Sequence, residues 1–310
     1  MIPHDLIKKI ETKNAVFFCG AGISRGVGDE RGFPGGRDLA RHMAEELLER
    51  TVRDDEALDL KQIAQEVIWK DKGSRNRLNE YLLQVFNDPK ITPLRAHQYL
   101  AYLGCDVITT NYDTLIEDAF KQEKKRCRKV VRESDLTRTR DVTVVVKLHG
   151  DITDVDNIVI AEEDYYRWLL SDSEIKNRVR QWFIEQSIVF IGFSLRDPNI
   201  RQLYYDLRLH FAEAQRKAYA VFKEKSNNYD IRFIEEQGIE IIEQDATAFL
   251  EKLWERVVLP RAEEYGPIAC AEIYNHWLRA GSEPRTRTDL ANLARTHNST
   301  FAAACESKER

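Results

Sequence analysis

The sequence predicts an α/β fold built on a doubly wound, Rossmann-like parallel sheet. First, short segments rich in Val, Ile and Phe recur along the chain. They are apolar throughout rather than alternating, which is typical of strands covered by helices on both faces. Second, longer segments with the apolar spacing of helices separate them. Third, the strongest apolar segments end in small or polar residues, and sheets of this class bind ligands at the carboxyl ends of their strands.

Seven apolar strands are predicted, four of them strong. The strong strands cover 15–19, 105–109, 142–146 and 187–191, and the weaker ones cover 157–160, 218–222 and 239–243. A basic run over 121–129 is interpreted as a solvated helix end followed by an edge strand, because cations suit the carboxyl end of a helix. Contact of this run with nucleic acid or an acidic partner is the alternative.

Helices are predicted between these strands. They cover 37–51, 58–70, 76–86, 93–103, 113–124, 162–170, 174–186, 198–214 and 228–236. The first four fill a long charged stretch, so 36–103 is interpreted as a helical module inserted after the first strand. Aromatic residues with helical spacing are expected in the core; they are Tyr165, Tyr166, Trp168, Trp182 and Phe183.

The pattern changes after Pro260. We therefore expect one α/β domain over 1–260 and a C-terminal helical extension over 261–310. The extension is either a small helical appendix or the beginning of a longer, truncated helical region.

The composition excludes several classes of protein. Of 310 residues, 43% are hydrophobic and 32% charged, and the net charge is −5. This balance argues against a protein-wide nucleic-acid or membrane footprint. No apolar run approaches the ~18 residues of a membrane helix. The N-terminus has no basic region followed by an apolar one, as a secretion signal needs, so we expect a cytoplasmic protein.

The five cysteines are scattered and contain no C-x-x-C pair. Structural zinc sites need clustered thiolate or imidazole ligands, and disulfide frameworks need paired cysteines. We therefore expect reduced thiols and no structural zinc.

The first candidate site is the glycine-rich turn after the first strand. Gly20, Ala21, Gly22 and Ser24 follow apolar residues, and glycines there let backbone N–H groups approach a phosphate. The next glycine is Gly26, a spacing that departs from the usual dinucleotide fingerprint. A phosphate cradle and a tight structural turn are equally compatible with this segment.

Two further strand ends carry polar side chains. Thr110, Asn111 and Asp113 follow the second strong strand, where the amide and carboxylate either point into the crevice or cap the following helix. A lone histidine is usually a packed or hydrogen-bonded structural residue, but His149 ends an otherwise apolar strand and precedes Gly150, which leaves space in front of the ring. Near pH 7 an imidazole can donate or accept a proton, which suits exchange with a ribose hydroxyl or a water.

The fourth strong strand ends in Gly192, followed by Ser194 and Asp197. Glycine lets a ligand lie close to the backbone, and the two polar side chains can bond ribose hydroxyls. Alternatively, Asp197 and Pro198 begin a helix. Both roles are compatible.

Taken in order, the motifs GAGIS, TTNYD, KLHG and GFSLRDPN resemble those of the sirtuin family. Within that family they are similar to the bacterial sirtuin-like NAD-cleaving effectors of antiphage defence. The resemblance covers the chain from about residue 14 to 249.

This resemblance implies that NAD is the substrate and that residues at matching positions act on it. Asn111 would contact the nicotinamide ribose and position the attacking water, Asp113 would meet the nicotinamide carboxamide, and His149 would act on the ribose hydroxyls or as general base. The pyrophosphate would be held by Ala21, Gly22 and Ser24. The adenosine side would be lined by Gly192, Ser194 and Asp197, with Asp245 near the adenine. The resemblance also implies NAD binding by Gly20, Arg37 and Thr110.

The chain also departs from the deacetylating sirtuins. Those enzymes have glutamine where this chain has Thr110, and Pro-Asp-Phe-Arg where it has Pro34-Gly35-Gly36-Arg37. They carry a four-cysteine zinc module between the His-Gly and Gly-x-Ser strands, whereas 151–191 contains no cysteine. Without that module the acyl-lysine peptide cleft loses one wall. We therefore predict a metal-independent NAD+ glycohydrolase that releases nicotinamide and ADP-ribose.

Two alternatives stay open: a scaffold that senses NAD or ADP-ribose without turnover, and an NAD-dependent protein deacylase or ADP-ribosyltransferase. The resemblance further implies an antiviral effector that depletes NAD+ in infected cells (abortive infection). It also implies a homo-oligomer and a regulatory partner or fused sensor, namely a HerA-type ATPase, a STAND-type sensor or an Argonaute-like protein. The sequence determines neither the trigger nor whether cyclic ADP-ribose is also made.

Overall fold

The computed structural model describes residues 1–26, 31–53, 55–136, 142–193, 216–223 and 229–258. The chain divides into two units, Met1–Phe249 and Leu250–Arg310. Of the second unit, the described residues are 250–258, which form the end of a helix. The predicted helix over 198–214 and the predicted extension over 261–310 lie outside the described residues. The domain boundary at 260 therefore stays a prediction.

The described residues contain seven β-strands and ten α-helices. The strands are β1 Ala15–Cys19, β2 Val107–Thr109, β3 Cys127–Val130, β4 Thr143–Lys147, β5 Ser187–Ile191, β6 Tyr219–Phe222 and β7 Glu240–Glu243. The helices are α1 His4–Glu11, α2 Gly36–Glu46, α3 Leu60–Lys70, α4 Asn76–Phe86, α5 Arg95–Leu103, α6 Leu115–Gln122, α7 Glu162–Leu170, α8 Glu174–Glu185, α9 Tyr229–Glu236 and α10 Ala246–Val257. No described helix is long and apolar enough to cross a bilayer.

The strands form one parallel sheet in the order β3-β4-β2-β1-β5-β6-β7. Cys19 at the end of β1 pairs with Thr109 of β2 and with Ile191 of β5, and Thr109 pairs with Lys147 of β4. The four strongest strands therefore end side by side at one edge of the sheet. The strand order reverses between β1 and β5, which is where sheets of this kind open a ligand crevice.

The sheet has the continuous apolar character that predicted it. Every residue of β1 and of β5 is buried. Phe18 of β1 packs against Phe190 of β5 with their ring centroids 5.3 Å apart, and α8 adds Trp182 and Phe183 to the same core. The prediction of a buried aromatic set is confirmed for these last two residues. It is wrong for Tyr166, which is 59% exposed.

Four helices, α2 to α5, lie between β1 and β2 and carry a second apolar core. Leu39 and Met43 of α2 pack with Ile63 of α3 and Leu82 of α4. Glycine ends the last helix of this group, because Gly104 takes a left-handed conformation with φ of +58°. The chain then enters β2, so the inserted helices lead directly into the strand that carries the polar motif.

Two sequence predictions differ from the structure. The weak strand predicted over 157–160 is wrong, because Ile158 and Ile160 are buried against the helical core rather than paired in the sheet. Helix α1 was not predicted from the sequence. It is short and highly charged, and only Leu6 and Ile10 are buried on its inner face. The predicted edge strand after the basic run is confirmed as β3.

Candidate functional site

A cavity of about 570 Å³ lies at the carboxyl ends of β1, β2 and β5. Ala21, Gly22 and Ser24 line it from the turn after β1, and Gly192 lines it from the end of β5. The segment after β2, residues 110–113, forms another wall. Small-molecule pockets commonly have volumes of about 300–1,000 Å³, so this cavity has room for a nucleotide-sized ligand.

The glycines at the reversal between β1 and β5 are required by close backbone packing. The Gly22 N–H donates to the Gly192 carbonyl at 2.8 Å. Gly192 has a left-handed φ of +62°, and a Cβ there would lie 2.4 Å from the Ile23 nitrogen. A Cβ on Gly20 would likewise lie 2.6 Å from the Gly192 oxygen. These contacts support the tight-turn interpretation of the motif, while the predicted contact with a pyrophosphate stays a prediction.

Ser24 and Asn111 meet in the cavity wall, although 87 positions separate them in the chain. Both are buried, and the Asn111 Nδ2 donates to the Ser24 Oγ at 3.1 Å. Among the described residues the Asn111 Oδ1 has no hydrogen-bond partner, although it is buried. A buried amide oxygen without a partner is costly. Here it lies in a residue that lines the cavity, where a ligand can satisfy it.

His97 of α5 completes this group and was not predicted as a site residue. Its Nδ1 accepts from the Leu94 N–H at 3.1 Å, which leaves Nε2 as the protonated nitrogen facing the Ser24 Oγ at 3.2 Å. Burial lowers the pKa of His97 to about 4, so the ring is neutral at pH 7. Ser24 therefore accepts from His97 and Asn111, and its own hydroxyl hydrogen can donate to a ligand. The sequence signal that could have identified His97 was its position as a polar residue in the first turn of helix α5.

Asp113 is buried, and its Oδ1 accepts from the Leu115 N–H at 3.0 Å. The carboxylate thus caps the start of α6, as one of the two sequence interpretations proposed. Asp113 also lines the cavity together with Thr110 and Asn111. The structure is therefore compatible with both roles at once.

A buried ionic cluster lies under residues 112 and 113. The Lys147 ammonium is fully buried, lies 2.7 Å from the Asp151 carboxylate and 3.5 Å from Glu117, and donates to the carbonyls of Tyr112 and Asp113. Burial alone would raise the pKa of Asp151, but Lys147 beside it lowers that pKa to about 2. Burial raises the pKa of Glu117 despite the neighbouring ammonium. Hydrogen bonds from Lys147 therefore join the end of β4 to the segment after β2, in addition to the pairing of the two strands.

His149, at the end of β4, is buried and contacts helix α7. Its ring centroid lies 5.1 Å from that of Tyr165 and 6.1 Å from that of Trp168, both in edge-to-face geometry. His149 is not among the described residues that line the cavity, whereas Tyr165 is. The Val159 N–H donates to the His149 carbonyl at 2.9 Å, which fixes the turn at Gly150.

The remaining predicted residues lie elsewhere or outside the described chain. Arg37 lines a second, open cavity of about 870 Å³ together with Arg25 and Arg41. Asp245 caps the start of α10, where its Oδ1 accepts from the Thr247 N–H at 2.9 Å. The predicted contacts of Ser194 and Asp197 lie outside the described residues.

The described residues contain no group of three or more His, Cys, Asp or Glu side chains that could hold a metal ion. Three cysteines are described, and all are free thiols; Cys19 and Cys105 are buried and Cys127 is half-buried.

Comparison with known families supports the resemblance read from the motifs. Residues 106–242 match the model of a family described as "SIR2-like domain". This region runs from the start of β2 to β7 and contains the Asn111 and His149 segments. Residues 106–242 of this chain are thus similar to a SIR2-like domain.

Three curated relatives are similar to a longer part of this chain. "NAD(+) hydrolase ThsA" from Acinetobacter baumannii (strain 532279) is 30% identical over 242 residues, 77% of this chain and 48% of that protein. "NAD(+) hydrolase ThsA" from Bacillus cereus (strain MSX-D12) is 28% identical over 73% of this chain and 46% of that protein. "Defense-associated sirtuin 2" from Bacillus subtilis is 28% identical over 76% of this chain and 23% of that protein. The match spans less than half the length of each relative.

A solved structure described as a Sir2 homolog–NAD complex has 15% sequence identity to this chain. The TM-score is 0.48, and the match covers 83% of this chain and 94% of the other.

Proposed function

We propose that this chain hydrolyses NAD+ at the nicotinamide–ribose bond and releases nicotinamide and ADP-ribose. The observation that carries the proposal is the buried Asn111 Oδ1, which has no hydrogen-bond partner among the described residues and belongs to the wall of a 570 Å³ cavity at the strand ends. Curated relatives named NAD(+) hydrolase match the region that contains this wall. The cavity residues and the relatives thus support the same substrate.

Cleavage of the nicotinamide–ribose bond develops an oxocarbenium-like charge on the ribose, so the site must hold the ribose and admit a water. We assign these tasks to Asn111 and Ser24. The Asn111 Oδ1 accepts from the attacking water or from a ribose hydroxyl, while its Nδ2 is held by the Ser24 Oγ at 3.1 Å. Because Ser24 also faces the His97 Nε2 at 3.2 Å, its hydroxyl hydrogen is directed to the ligand.

Asp113 and His149 have the other proposed roles at the reacting end. Asp113 would accept from the carboxamide of the departing nicotinamide, since it is buried in the same wall as Asn111. His149 would exchange a proton with the ribose hydroxyls or the water. This role requires the ligand to reach the imidazole, which packs against the cavity-lining Tyr165. The turn with Ala21 and Gly22 would face the pyrophosphate.

The test is incubation of the protein with NAD+ and chromatography of the products. We expect nicotinamide and ADP-ribose in equal amounts, and a loss of turnover of about 10²- to 10⁴-fold in Asn111→Ala. Asn14→Ala is the matched control, because its side-chain amide is exposed and, among the described residues, donates to the neighbouring Thr12 hydroxyl. NAD+ that binds but stays intact would support a sensing scaffold instead, and NAD+ consumption that requires an acyl-lysine peptide would support a deacylase.

An enzyme that destroys NAD+ must be held inactive until it is needed. We therefore further propose that the protein acts in antiviral defence by depleting NAD+, that it assembles as a homo-oligomer and that a partner or fused sensor controls it. The relatives named for defence and for NAD hydrolysis support this proposal. Assay of NAD+ cleavage with and without the product of a neighbouring gene tests it, and equal rates in both would reject the controlling partner.

A further inference from the structure

Helix α7 packs two aromatic rings against His149. The Tyr165 and Trp168 rings meet the imidazole at interplanar angles of 69° and 83°, so each presents an edge-to-face contact. Aromatic pairs of this geometry contribute about 0.5–1.5 kcal/mol beyond the burial of their area. The spacing of three residues places both rings on one side of the helix. His149 is therefore confined by rings from a single element.

Both ends of α7 are themselves held in place. At its beginning, Asp164 forms a two-pronged ion pair with Arg75, with both oxygens 2.8 Å from the same guanidinium nitrogen, and it also accepts from the Ala161 N–H at 2.9 Å. At its end, the buried Lys176 donates to the Trp168 carbonyl at 2.8 Å, and its ammonium lies 4.9 Å from the centre of the Trp168 ring. Trp168 is thus contacted by Lys176 at both its carbonyl and its ring.

The two rings differ in their relation to the cavity. Tyr165 lines it, and the Lys61 ammonium of the helical insertion lies 5.4 Å from the centre of its ring. Trp168 is not among the described lining residues and packs instead against the core of the sheet. An effect of Trp168 on a bound ligand must therefore pass through His149 or Tyr165.

We propose that Trp168 is a positioning residue for NAD+ cleavage, which holds the His149 imidazole by ring contact so that it meets the substrate in one orientation. Tyr165 shares the contact with His149 and also lines the cavity. The inference rests on the function proposed above. It gives a role to the cysteine-free segment between β4 and β5, which contains α7.

The test compares NAD+ turnover of Trp168→Leu, Trp168→Phe and Trp182→Leu. A displacement of about 1 Å in a reacting group can cost about 10² in rate. We therefore expect Trp168→Leu to lower kcat by about 10- to 100-fold with KM for NAD+ changed by less than about twofold, and Trp168→Phe to recover most of the loss. Trp182→Leu is the control for loosened packing, since Trp182 is more deeply buried in the same core. Equal loss of kcat in Trp168→Leu and Trp182→Leu, or none in Trp168→Leu, overturns the proposal.

A second measurement does not depend on turnover. In protein labelled with ¹³C in its histidine rings, the His149 signals are identified by their loss in His149→Ala. We expect these signals to shift in Trp168→Leu and to stay in place in Trp182→Leu. If the wild-type protein binds NAD+ but leaves it intact, the proposed function fails. The histidine-ring spectrum would still test whether Trp168 holds His149. Unchanged His149 signals in Trp168→Leu would refute the positioning role.

Discussion

Replacement of Lys147 by methionine tests how the buried ionic cluster supports the site. Methionine keeps most of the apolar stem but removes the ammonium, which leaves Asp151 without the partner that lies 2.7 Å away. Both side chains are fully buried, and removal of one partner from a buried pair costs about 3–5 kcal/mol. Each kcal/mol shifts the melting temperature of a domain of 150–250 residues by about 2–4 °C. We therefore expect Tm to fall by about 6–20 °C.

Urea unfolding at pH 7, followed by circular dichroism, measures this loss of unfolding free energy. Lys129→Met is the matched control, because its ammonium lies 2.9 Å from the same Asp151 carboxylate but its side chain is 31% exposed. Partly exposed pairs contribute about 0–1 kcal/mol. Equal losses in the two variants, or a loss below about 1 kcal/mol in Lys147→Met, would show that the cluster does not hold the ends of β2 and β4 together.

Three further predictions concern the residues around the cavity. Gly192→Ala places a Cβ 2.4 Å from the Ile23 nitrogen at a φ of +62°. We therefore expect the free energy of unfolding, measured with urea, to fall by more than about 1 kcal/mol. An unchanged urea midpoint would contradict the close backbone packing at this position. Ser24→Ala leaves the donors of His97 and Asn111 without their shared acceptor. Calorimetry should show that the free energy of unfolding falls by about 1–3 kcal/mol. If it falls no more than in the exposed Ser171→Ala, the hydrogen-bond network around Ser24 does not stabilise the fold. Burial lowers the pKa of His97 from 6.5 to about 4, so between these pH values the unfolded chain binds more protons than the folded one. The free energy of unfolding should therefore fall by up to about 1.4 kcal/mol per pH unit as the pH drops through this window. The comparison variant is His97→Gln, whose unfolding free energy should depend less on pH between 7 and 4 than that of the wild type. If both proteins show the same slope of unfolding free energy against pH, the lowered pKa of His97 is refuted.

The sheet could be predicted from the sequence because its strands are buried on both faces. Apolar runs that end at Cys19 and Ile191 leave little choice of register or face, and both ends agree with the structure. The run over 157–160 has the same composition but packs under helices. Composition alone does not distinguish these two environments, so that strand was wrongly predicted.

The candidate site was predictable where residues stand directly at a strand end. Asn111 follows β2 in sequence, and the parallel register brings it beside Ser24. His97 escaped prediction because its contact with Ser24 spans 73 positions and comes from a helix of the insertion. Tyr165 was expected in the core because helical spacing does not show which face of α7 meets a cavity.

The most direct measurement of the central claim is a crystal structure of the His149→Ala variant with NAD+, in which slow turnover would preserve the substrate. The account predicts the nicotinamide ribose, or a water that bridges to it, within about 2.6–3.2 Å of the Asn111 Oδ1. The pyrophosphate should lie along the turn that contains Ala21 and Gly22. NAD+ bound outside the strand-end cavity, or bound inside it with the residue 111 amide oxygen still unpaired, would contradict the account.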